Sequence, residues 1–318
     1  MDKQTATQLI GDTFNYPFDE GRFRNFAINL LNDVNEQKGF DYLSGTYIRH
    51  SFKNHITKYR RLGSYTDPNG EKIDVLVVQL KNERALERSR TMLRNFTSDY
   101  LKNRDEKDAA LVAYYTTNPD DWRFSYIRME YKREKIESGK FKITQDITPA
   151  KRYSFLVGKN EPNHTAQAQL VGMLSDDRNN PTLTELETAF SVDAVTKQFY
   201  KDYRAQFEKL WNELNDIVSK DHKISAEFES KTIDTANFAK KLMGQIVFLY
   251  FLQKKGWLGV GKDSEGNFKD WGTGPKNFLR RLYDKEFTDY GNFFNDILEP
   301  LFYEALATER TSDVFTQF

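Results

Sequence analysis

A glutamine and a lysine lie two residues apart at the end of a strongly apolar run. The run extends from Ile73 to Lys81 and reads IDVLVVQLK, with only aliphatic residues between Asp74 and Gln79. Such a run is typical of a strand that is buried in the middle of a sheet. Because successive side chains of a strand point to opposite sides, Gln79 and Lys81 are expected on the same face. An amide oxygen and an ammonium group at a strand end could contact an ion or a phosphate.

The same pair also has a purely structural explanation, because strands that lead into polar loops often end in Gln or Lys. A metal site would need carboxylates, and none accompanies the pair. Asp74 is expected on the opposite face of the strand, and Asp67 lies in the preceding turn. In a hairpin centred on that turn, the residue opposite Gln79 is expected near Arg60. The acids that remain for a metal belong to the first predicted helix and its exit, namely Glu20, Glu36 and Asp41.

The elements that must position the pair are predicted from turn and helix signals around it. Thr66 to Lys72, TDPNGEK, carries Asp-Pro and Asn-Gly and predicts a β-hairpin between Tyr59 to Tyr65 and the apolar run. Apolar residues recur at helical spacing before the hairpin, in FDEGRFRNFAINLLNDV, and after it, in ERALERSRTMLRNFTSDYLKNR. Further strands are predicted at AALVAYYTT, WRFSYIRMEYK, FKI and YSFLV. The first half of the chain therefore combines helices with a sheet.

Basic residues cluster in the segment that leads into the hairpin. No acid occurs from Tyr42 to Thr66, which makes this segment a candidate surface for phosphate groups. A solvated face with counter-charges elsewhere explains the segment equally well. Phosphate contacts without base reading are expected from this segment and from the helix after the hairpin. The DNA-binding candidates are Arg49, Lys53, Lys58, Arg60, Arg61, Arg84, Arg88 and Arg94.

Composition excludes several classes of function. The 318 residues include 47 basic and 47 acidic residues and no cysteine, so net charge indicates no partner and thiol chemistry is excluded. The N-terminal residues show no signal peptide, and no apolar run approaches the about 20 residues that a bilayer span needs. A reducing compartment fits this composition. We therefore expect a cytoplasmic protein with no membrane segment.

The second half of the chain changes from strand to helix patterning. Asn160 to Thr165, NEPNHT, is rich in turn residues and predicts a boundary between a domain at 1–160 and a helical domain at 161–318. FAKKLMGQIVFLYFLQKKGWL is apolar almost all round in its second half, which favours a helix at the centre of a bundle. A helical protein-interaction module is an alternative for residues 161–318 alone.

The order helix, hairpin ending in Gln-x-Lys, helix and strand resembles the core of the PD-(D/E)xK nucleases. This resemblance implies an α+β fold with a mixed sheet and flanking helices, followed here by a mostly α-helical domain. In that family carboxylates hold Mg²⁺, and the lysine lies near the attacking water and the scissile phosphate. Lys81 would have this place, and Gln79 stands where a Glu or Asp is usual. No ligand set for the metal carries over.

Longer phrases resemble the N-terminal half of bacterial type IIG restriction-modification proteins. They include KIDVLVVQLKNERALERSRTMLRNF, TPAKRYSFLVG, NPTLTELETAFSVDAVTKQF and NFFNDILEPLFYEAL. The resemblance implies a nuclease-like domain and a helical connector that act on double-stranded DNA. It also implies partner domains outside this chain, a C-terminal adenine methyltransferase that binds S-adenosylmethionine and a target-recognition domain.

Two functions follow from the resemblance. The first is a Mg²⁺-dependent endonuclease module with Lys81 and Gln79 at its site. The second is a catalytically silent DNA-binding module that positions the methyltransferase.

Overall fold

A computed structural model describes residues 1–82, 86, 89–103, 107–130, 132–135, 141–144 and 150–309. The chain divides into two compact units, Met1–Gln198 and Phe199–Phe318. The first unit contains a sheet with helices, and the second unit is helical. The predicted α+β class is therefore confirmed, while the assignment to the PD-(D/E)xK nucleases stays a prediction.

The first unit begins and ends with helices, and its strands lie between them on either side of one further helix. The helices are α1 (Lys3–Phe14), α2 (Glu20–Leu31), α3 (Arg90–Lys102), α4 (His164–Leu174) and α5 (Leu183–Phe190). The strands are β1 (Phe40–Ser44), β2 (Ile56–Thr66), β3 (Lys72–Leu80), β4 (Ala109–Tyr115), β5 (Asp121–Met129), β6 (Lys132–Lys135), β7 (Phe141–Thr144) and β8 (Ala150–Gly158).

The main sheet has six strands in the order β1-β2-β3-β4-β5-β8, and β6 pairs with β7 separately. β3 and β4 run parallel, whereas the other neighbours in the main sheet are antiparallel. A parallel pair needs a crossover connection, and α3 lies in the connection between these two strands. The observed order from α2 to β4 thus includes the predicted hairpin, helix and following strand.

Alternating side chains of β3 enter two separate cores. Ile73, Val75 and Val77 belong to the core on one face, which also contains buried residues of α1, α2, α4 and α5. Leu76 and Val78 belong to the core on the other face, which contains buried residues of α3. We call these the α2 face and the α3 face of the sheet. All five side chains are fully buried, which explains why the run is continuously apolar.

Aromatic rings fill much of the core on the α2 face. Phe14 and Phe26 lie 4.8 Å apart between ring centroids, and Phe124 lies 5.4 Å from Phe26 in an edge-to-face arrangement. Trp122 packs edge-on against Phe14 at 5.5 Å. Such tilted and perpendicular contacts are the favoured geometries of aromatic pairs. They attach α1 and α2 to β5.

A buried carboxylate, Asp74, lies on the α3 face of β3. Its oxygens accept hydrogen bonds from Arg61 Nη1 at 3.0 Å, from Tyr100 Oη at 2.7 Å and from the Ser64 hydroxyl. Lys107 Nζ lies 3.9 Å away. A buried charge is stable only when it is paired and hydrogen-bonded, so these partners offset the free-energy cost of burying the Asp74 carboxylate. The expectation that Asp74 faces away from Gln79 agrees with this position.

The predicted domain boundary at 160/161 differs from the observed division at Gln198. α4 and α5 lie beyond residue 160, yet Leu170, Leu186 and Phe190 are buried in the core of the α2 face. Phe190 also packs against Phe124 of β5 at 5.1 Å between centroids. The change from strand to helix patterning is real, but it marks a change of layer within one unit rather than the end of a domain.

The second unit has its own, smaller core. Its helices are α6 (Val192–Lys220), which begins before the division, α7 (His222–Ser230), α8 (Thr235–Lys254) and α9 (Phe278–Tyr283), followed by π-helical turns at Phe294–Leu298 and Pro300–Leu306. Leu249 and Leu252 of α8 pack with Leu279 and Leu282 of α9. This core also contains Ile297 and Leu301 of the π-helical turns.

The prediction that α8 is buried all round is wrong. Phe248, Tyr250 and Phe251 are each about half exposed, because the core contacts only one side of the helix. No helix in the described ranges is long and apolar enough to cross a bilayer.

We predict that Asp74→Ala destabilises the first unit by about 3–5 kcal/mol, because removing one member of a buried ion pair leaves the other charge unpaired. Urea unfolding followed by near-ultraviolet circular dichroism would measure the loss. Asp41→Ala is the matched control, since the Asp41 side chain is fully exposed and lies 4.0 Å from Arg60. Equal unfolding midpoints for the two variants would contradict the structural role of Asp74.

Candidate functional site

The Gln-x-Lys pair lies where β3 leaves the sheet. Gln79 is the last residue but one of β3 and is half-buried, whereas Lys81 follows the strand and is exposed. Alternation along β3 places Gln79 on the α2 face, with Val75 and Val77. The Lys81 amide donates to the His55 carbonyl at 2.9 Å, so the chain is still held beside the start of β2. The pair is therefore at the open end of the β2–β3 hairpin.

The residue opposite Gln79 on β2 is Lys58, two residues from Arg60, and Arg60 lies opposite Val77. The pairing shifts by one residue between Arg61 and Gly63, where the strand forms a bulge. On its other side Gln79 pairs with Tyr115 of β4. A lysine and a tyrosine thus flank the glutamine.

A cluster of polar side chains around one carboxylate lies at this end of the α2 face. It consists of Glu20, Tyr42, Arg60 and Tyr115, and we call it the Glu20 cluster. Glu20 Oε1 accepts a hydrogen bond from Arg60 Nη1 at 2.9 Å, and Oε2 accepts one from Tyr42 Oη at 2.6 Å. The Tyr42 and Tyr115 hydroxyls are 3.3 Å apart. Residues from α2, β1, β2 and β4 therefore meet at one carboxylate.

Local folding explains how Glu20 reaches this place. Asp19 is the N-cap of α2, and its side chain accepts a hydrogen bond from the Arg22 amide at 2.8 Å. Glu20 is consequently in the first turn, where a negative charge is favoured by the helix dipole. Phe18, just before the cap, stacks on Tyr115 with 4.4 Å between centroids. This contact holds the start of α2 over the end of β4.

Two cations lie over the Tyr42 ring. Lys58 Nζ is 4.0 Å from the ring centroid, and the Arg60 guanidinium carbon is 5.4 Å from it. Arg60 Nη2 is also 4.0 Å from Asp41 Oδ1. The Nε of Arg60 is buried without a hydrogen-bond partner among the described residues. Arg60 is thus the positive centre between the carboxylates of Glu20 and Asp41.

Both tyrosines of the Glu20 cluster remain protonated. Burial raises the pKa of Tyr42, and its hydrogen bond to Glu20 raises this pKa further. Burial also raises the pKa of Tyr115. A protonated phenol can donate to a carboxylate, which a phenolate cannot do. The cluster therefore carries one carboxylate, one guanidinium and two neutral hydroxyls.

This donor set does not fit Mg²⁺. Magnesium prefers oxygen ligands in near-octahedral geometry, usually with carboxylates. Both oxygens of Glu20 are taken by Arg60 and Tyr42, and Glu36 pairs with Arg24. Within the ranges that the structure describes, no group of three Asp, Glu or His side chains could hold a metal. Arg60 and Tyr42 thus occupy the oxygens that a metal at Glu20 would need.

The predicted DNA-binding cations do not form one surface. Lys58 and Arg60 are on the α2 face, whereas Arg61 pairs with Asp74 on the α3 face. Arg49 pairs with Asp99 and donates to Asn103 Oδ1 at 3.0 Å. These ion pairs give Arg49 and Arg61 structural roles.

The remaining cations lie elsewhere. Lys53 is exposed in the turn just before β2, and Arg94 is half-buried on α3. Arg84 and Arg88 lie outside the described residues. Of the DNA-binding candidates, Lys53 lies just before β2 and Lys58 near its start, beside the segment that carries Lys81.

Sequence reasoning missed Tyr42 and Tyr115 as members of the site. Tyr115 is the register partner of Gln79, and Tyr42 lies 22 residues from the carboxylate it contacts. Neither contact has a local sequence signal. The position of Tyr115 at the end of the strand parallel to β3 would have been the clue.

We predict that Tyr42→Phe destabilises the first unit by about 1–2 kcal/mol, because Glu20 loses a charge-assisted hydrogen bond in a partly buried site. Urea unfolding would measure this loss. Tyr115→Phe is the matched control, since its hydroxyl contacts Tyr42 at a longer distance and not the carboxylate. A larger effect of Tyr115→Phe would show that the hydrogen bond to Glu20 is not the main contribution.

Comparison with known proteins does not assign the chain to a family. No family model, no curated protein and no solved structure matches it.

Proposed function

We propose that the first unit is a DNA-binding module of nuclease-like architecture that does not itself hydrolyse DNA. The observation that carries this proposal is the bond between Arg60 and Glu20, with Asp41 also beside the guanidinium. A guanidinium is permanently charged, and that of Arg60 lies between the carboxylates of Glu20 and Asp41. Arg60 therefore occupies carboxylate oxygens that a Mg²⁺ site would need, and no set of free oxygen ligands remains at Glu20.

The order of elements supports the nuclease-like part of the proposal. α2, β1, the β2–β3 hairpin, α3 and β4 follow one another, and β4 is parallel to β3. Gln79 and Lys81 stand at the end of the third strand in this order. Apart from β1, this is the order helix, hairpin, helix and strand on which the resemblance to the PD-(D/E)xK core rests.

Phosphate groups are the DNA chemistry that the open end of the hairpin suits. Lys53 and Lys81 are exposed, and the bond from the Lys81 amide to the His55 carbonyl keeps their segments adjacent. Lysine side chains fix position on the DNA backbone without reading sequence. As the resemblance implies, target recognition and adenine methylation with S-adenosylmethionine would belong to partner domains outside this chain. The module would position those domains on DNA in the bacterial cytoplasm.

A second candidate is the endonuclease itself, a hydrolase that needs Mg²⁺. The position of Lys81 at the end of β3, with Gln79 on the same strand, favours it. Lys81 would then lie near the scissile phosphate. The ion pair between Arg60 and Glu20 opposes this candidate.

A cleavage assay separates the two candidates. The chain would be incubated with duplex DNA and Mg²⁺, with Lys81→Ala as the comparison variant. We expect no cleavage above the protein-free control from either protein. Cleavage that Lys81→Ala abolishes would overturn the proposal and support the endonuclease. Equal cleavage by both proteins would remove Lys81 from any mechanism.

The DNA-binding part of the proposal makes a separate prediction about salt. The double variant Lys53→Gln/Lys81→Gln should flatten the slope of log affinity against log salt by about 1.8, because each lost phosphate contact contributes about 0.9 on duplex DNA. Fluorescence anisotropy with two unrelated duplexes would measure the slopes.

The control for this measurement is Lys159→Gln, since Lys159 is exposed and follows β8 near Asp120. An unchanged slope in the double variant would contradict the assignment of these two lysines. A loss of affinity for one duplex only would contradict binding without base reading.

A further inference from the structure

A strongly basic cavity of about 660 Å³ lies on the α3 face of the first unit. Its walls come from the first turns of α3 and from β5 and β8. The cationic residues at its wall are Arg90, Arg94, Arg123, Lys151 and Arg152, and the residues with hydroxyl groups are Thr91, Tyr153 and Ser154. Drug-sized and cofactor-sized ligands occupy cavities of about 300–1,000 Å³. The cavity is therefore large enough for an organic ligand.

Two of these cations have partners within the wall. Lys151 pairs with Glu130 at 2.6 Å, which neutralises the acid that lines the cavity. Arg123 Nε donates to the Leu86 carbonyl at 2.7 Å, and its Nη1 donates to the Ser154 hydroxyl at 3.1 Å. These bonds fix Arg123 as part of the wall. The positive charge of the remaining arginines is not balanced by Glu130.

The remaining arginines are Arg90, Arg94 and Arg152. Among the described residues no carboxylate pairs with any of them, and Arg94 donates only a long bond, 3.4 Å, to the neutral side chain of Asn95. Two of them come from one side of α3, because they are four residues apart. Like charges that share a cavity repel each other, so an anion between them would offset this repulsion.

Arg152 gives the clearest sign of a missing partner. Its Nη1 is buried and has no hydrogen-bond partner in the described part of the chain. Burial lowers the pKa of Arg152, and the nearby charges of Arg90 and Arg94 lower it further. A buried donor without an acceptor is costly and calls for an explanation. A bound anion would supply both the acceptor and the counter-charge.

The start of α3 adds to the positive potential of the cavity. Arg90 and Thr91 are the first residues of the helix and line the cavity. Ser89, the N-cap, makes no side-chain hydrogen bond to the helix. The helix dipole favours negative charge at this end of α3. Anions are commonly bound at helix N-termini for this reason.

We propose that this cavity binds a phosphate monoester through Arg90, Arg94 and Arg152. A monoester carries close to two negative charges near neutral pH and three strong acceptor oxygens, which suits several guanidinium groups better than a backbone diester. The volume beyond the phosphate would hold the organic group. The monoester is either a free nucleotide or the 5′-phosphate at the end of a DNA strand.

The site is independent of the function proposed above. Arg123 alternates along β5 with Trp122 and Phe124 of the α2 face, so the cavity lies on the opposite side of the sheet from Gln79. Its binding test would succeed or fail whatever the result for Lys53 and Lys81.

Calorimetric titration of the full chain tests the proposal. The ligands are inorganic phosphate, deoxyadenosine 5′-monophosphate, and a short single strand with either a 5′-phosphate or a 5′-hydroxyl end. We expect saturable one-to-one binding of the phosphorylated ligands. Tighter binding of the phosphorylated strand than of the mononucleotide would identify a strand end as the source, and the reverse order would identify a free nucleotide.

Arg152→Gln should weaken this binding by about 10-fold to 100-fold, as expected for loss of a hydrogen bond to a charged group. Arg178→Gln is the matched control, because Arg178 is exposed in the connection between α4 and α5, on the other face. Arg90→Gln/Arg94→Gln is the second variant and alters the helix side of the cavity. Thermal unfolding of each variant would check that it is folded.

Three results would overturn the proposal. The first is the absence of saturable binding for every phosphorylated ligand. The second is equal affinity for the 5′-phosphate and 5′-hydroxyl strands, which would mean that the strand binds through its backbone. The third is an equal loss of affinity in Arg178→Gln and Arg152→Gln, which would indicate general electrostatic attraction.

Discussion

The burial of β3 on both sides is the constraint on which the first unit depends. β2 and β4 pair with its two edges, and its side chains are buried in one core on the α2 face and in another on the α3 face. A strand enclosed in this way has no freedom of register, since a shift of one residue would exchange Asp74 with an apolar position. Every polar group on β3 therefore needs a specific partner. Asp74 finds its partners inside the α3 face, and Gln79 emerges at the end of the strand.

The two faces consequently differ in how their charges are satisfied. On the α2 face, Glu20 is bonded to Arg60 and Tyr42, so the charges neutralise each other within the protein. On the α3 face, the Asp74 network is equally closed. Arg60 on the α2 face and Arg152 on the α3 face each have a buried nitrogen with no acceptor among the described residues, but the charge of Arg60 is paired with Glu20, whereas no described carboxylate pairs with Arg152. Unsatisfied buried donors are uncommon in folded proteins. For this reason the side of the sheet away from the Gln-x-Lys pair is the more open to a small anionic ligand.

Local signals in the sequence predicted the helices and strands, whereas the composition of the site depends on contacts between residues far apart in the chain. The Asp-Pro and Asn-Gly turn, the apolar run of β3 and the stripe of α3 were all visible because turn chemistry and periodicity act over a few residues. The residue opposite Gln79 is Lys58, two residues from Arg60, and the bulge near Gly63, which has no sequence signature, accounts for one of these two residues. The pair of Glu20 with Arg60 joins residues 40 positions apart, which no periodicity can reveal.

The same distinction explains the errors in the second half of the chain. α4 and α5 have ordinary amphipathic patterns, which do not tell whether the apolar side covers a sheet or another helix. Phe190 shows that it covers the sheet. The apolar surface of α8 was predicted to be buried, but hydrophobicity alone does not say that a covering element exists within the chain. Whether a side chain is buried depends on the elements that pack against it as well as on its own hydrophobicity.

Asp67 connects the turn of the β2–β3 hairpin with the start of α5, which is synthesised much later. One carboxylate oxygen accepts from the Asn69 and Glu71 amides within the hairpin turn, and the other accepts from the Leu183 amide at 3.1 Å, 116 residues later. Tyr65 Oη likewise donates to the Pro181 carbonyl across 116 residues. At translation rates of about 5–20 residues per second, the nascent hairpin waits on the order of 6–20 s for these partners. During that interval the Asp67 carboxylate and the Tyr65 hydroxyl lack these two hydrogen-bond partners, so the hairpin must form before the contacts that attach it to α5.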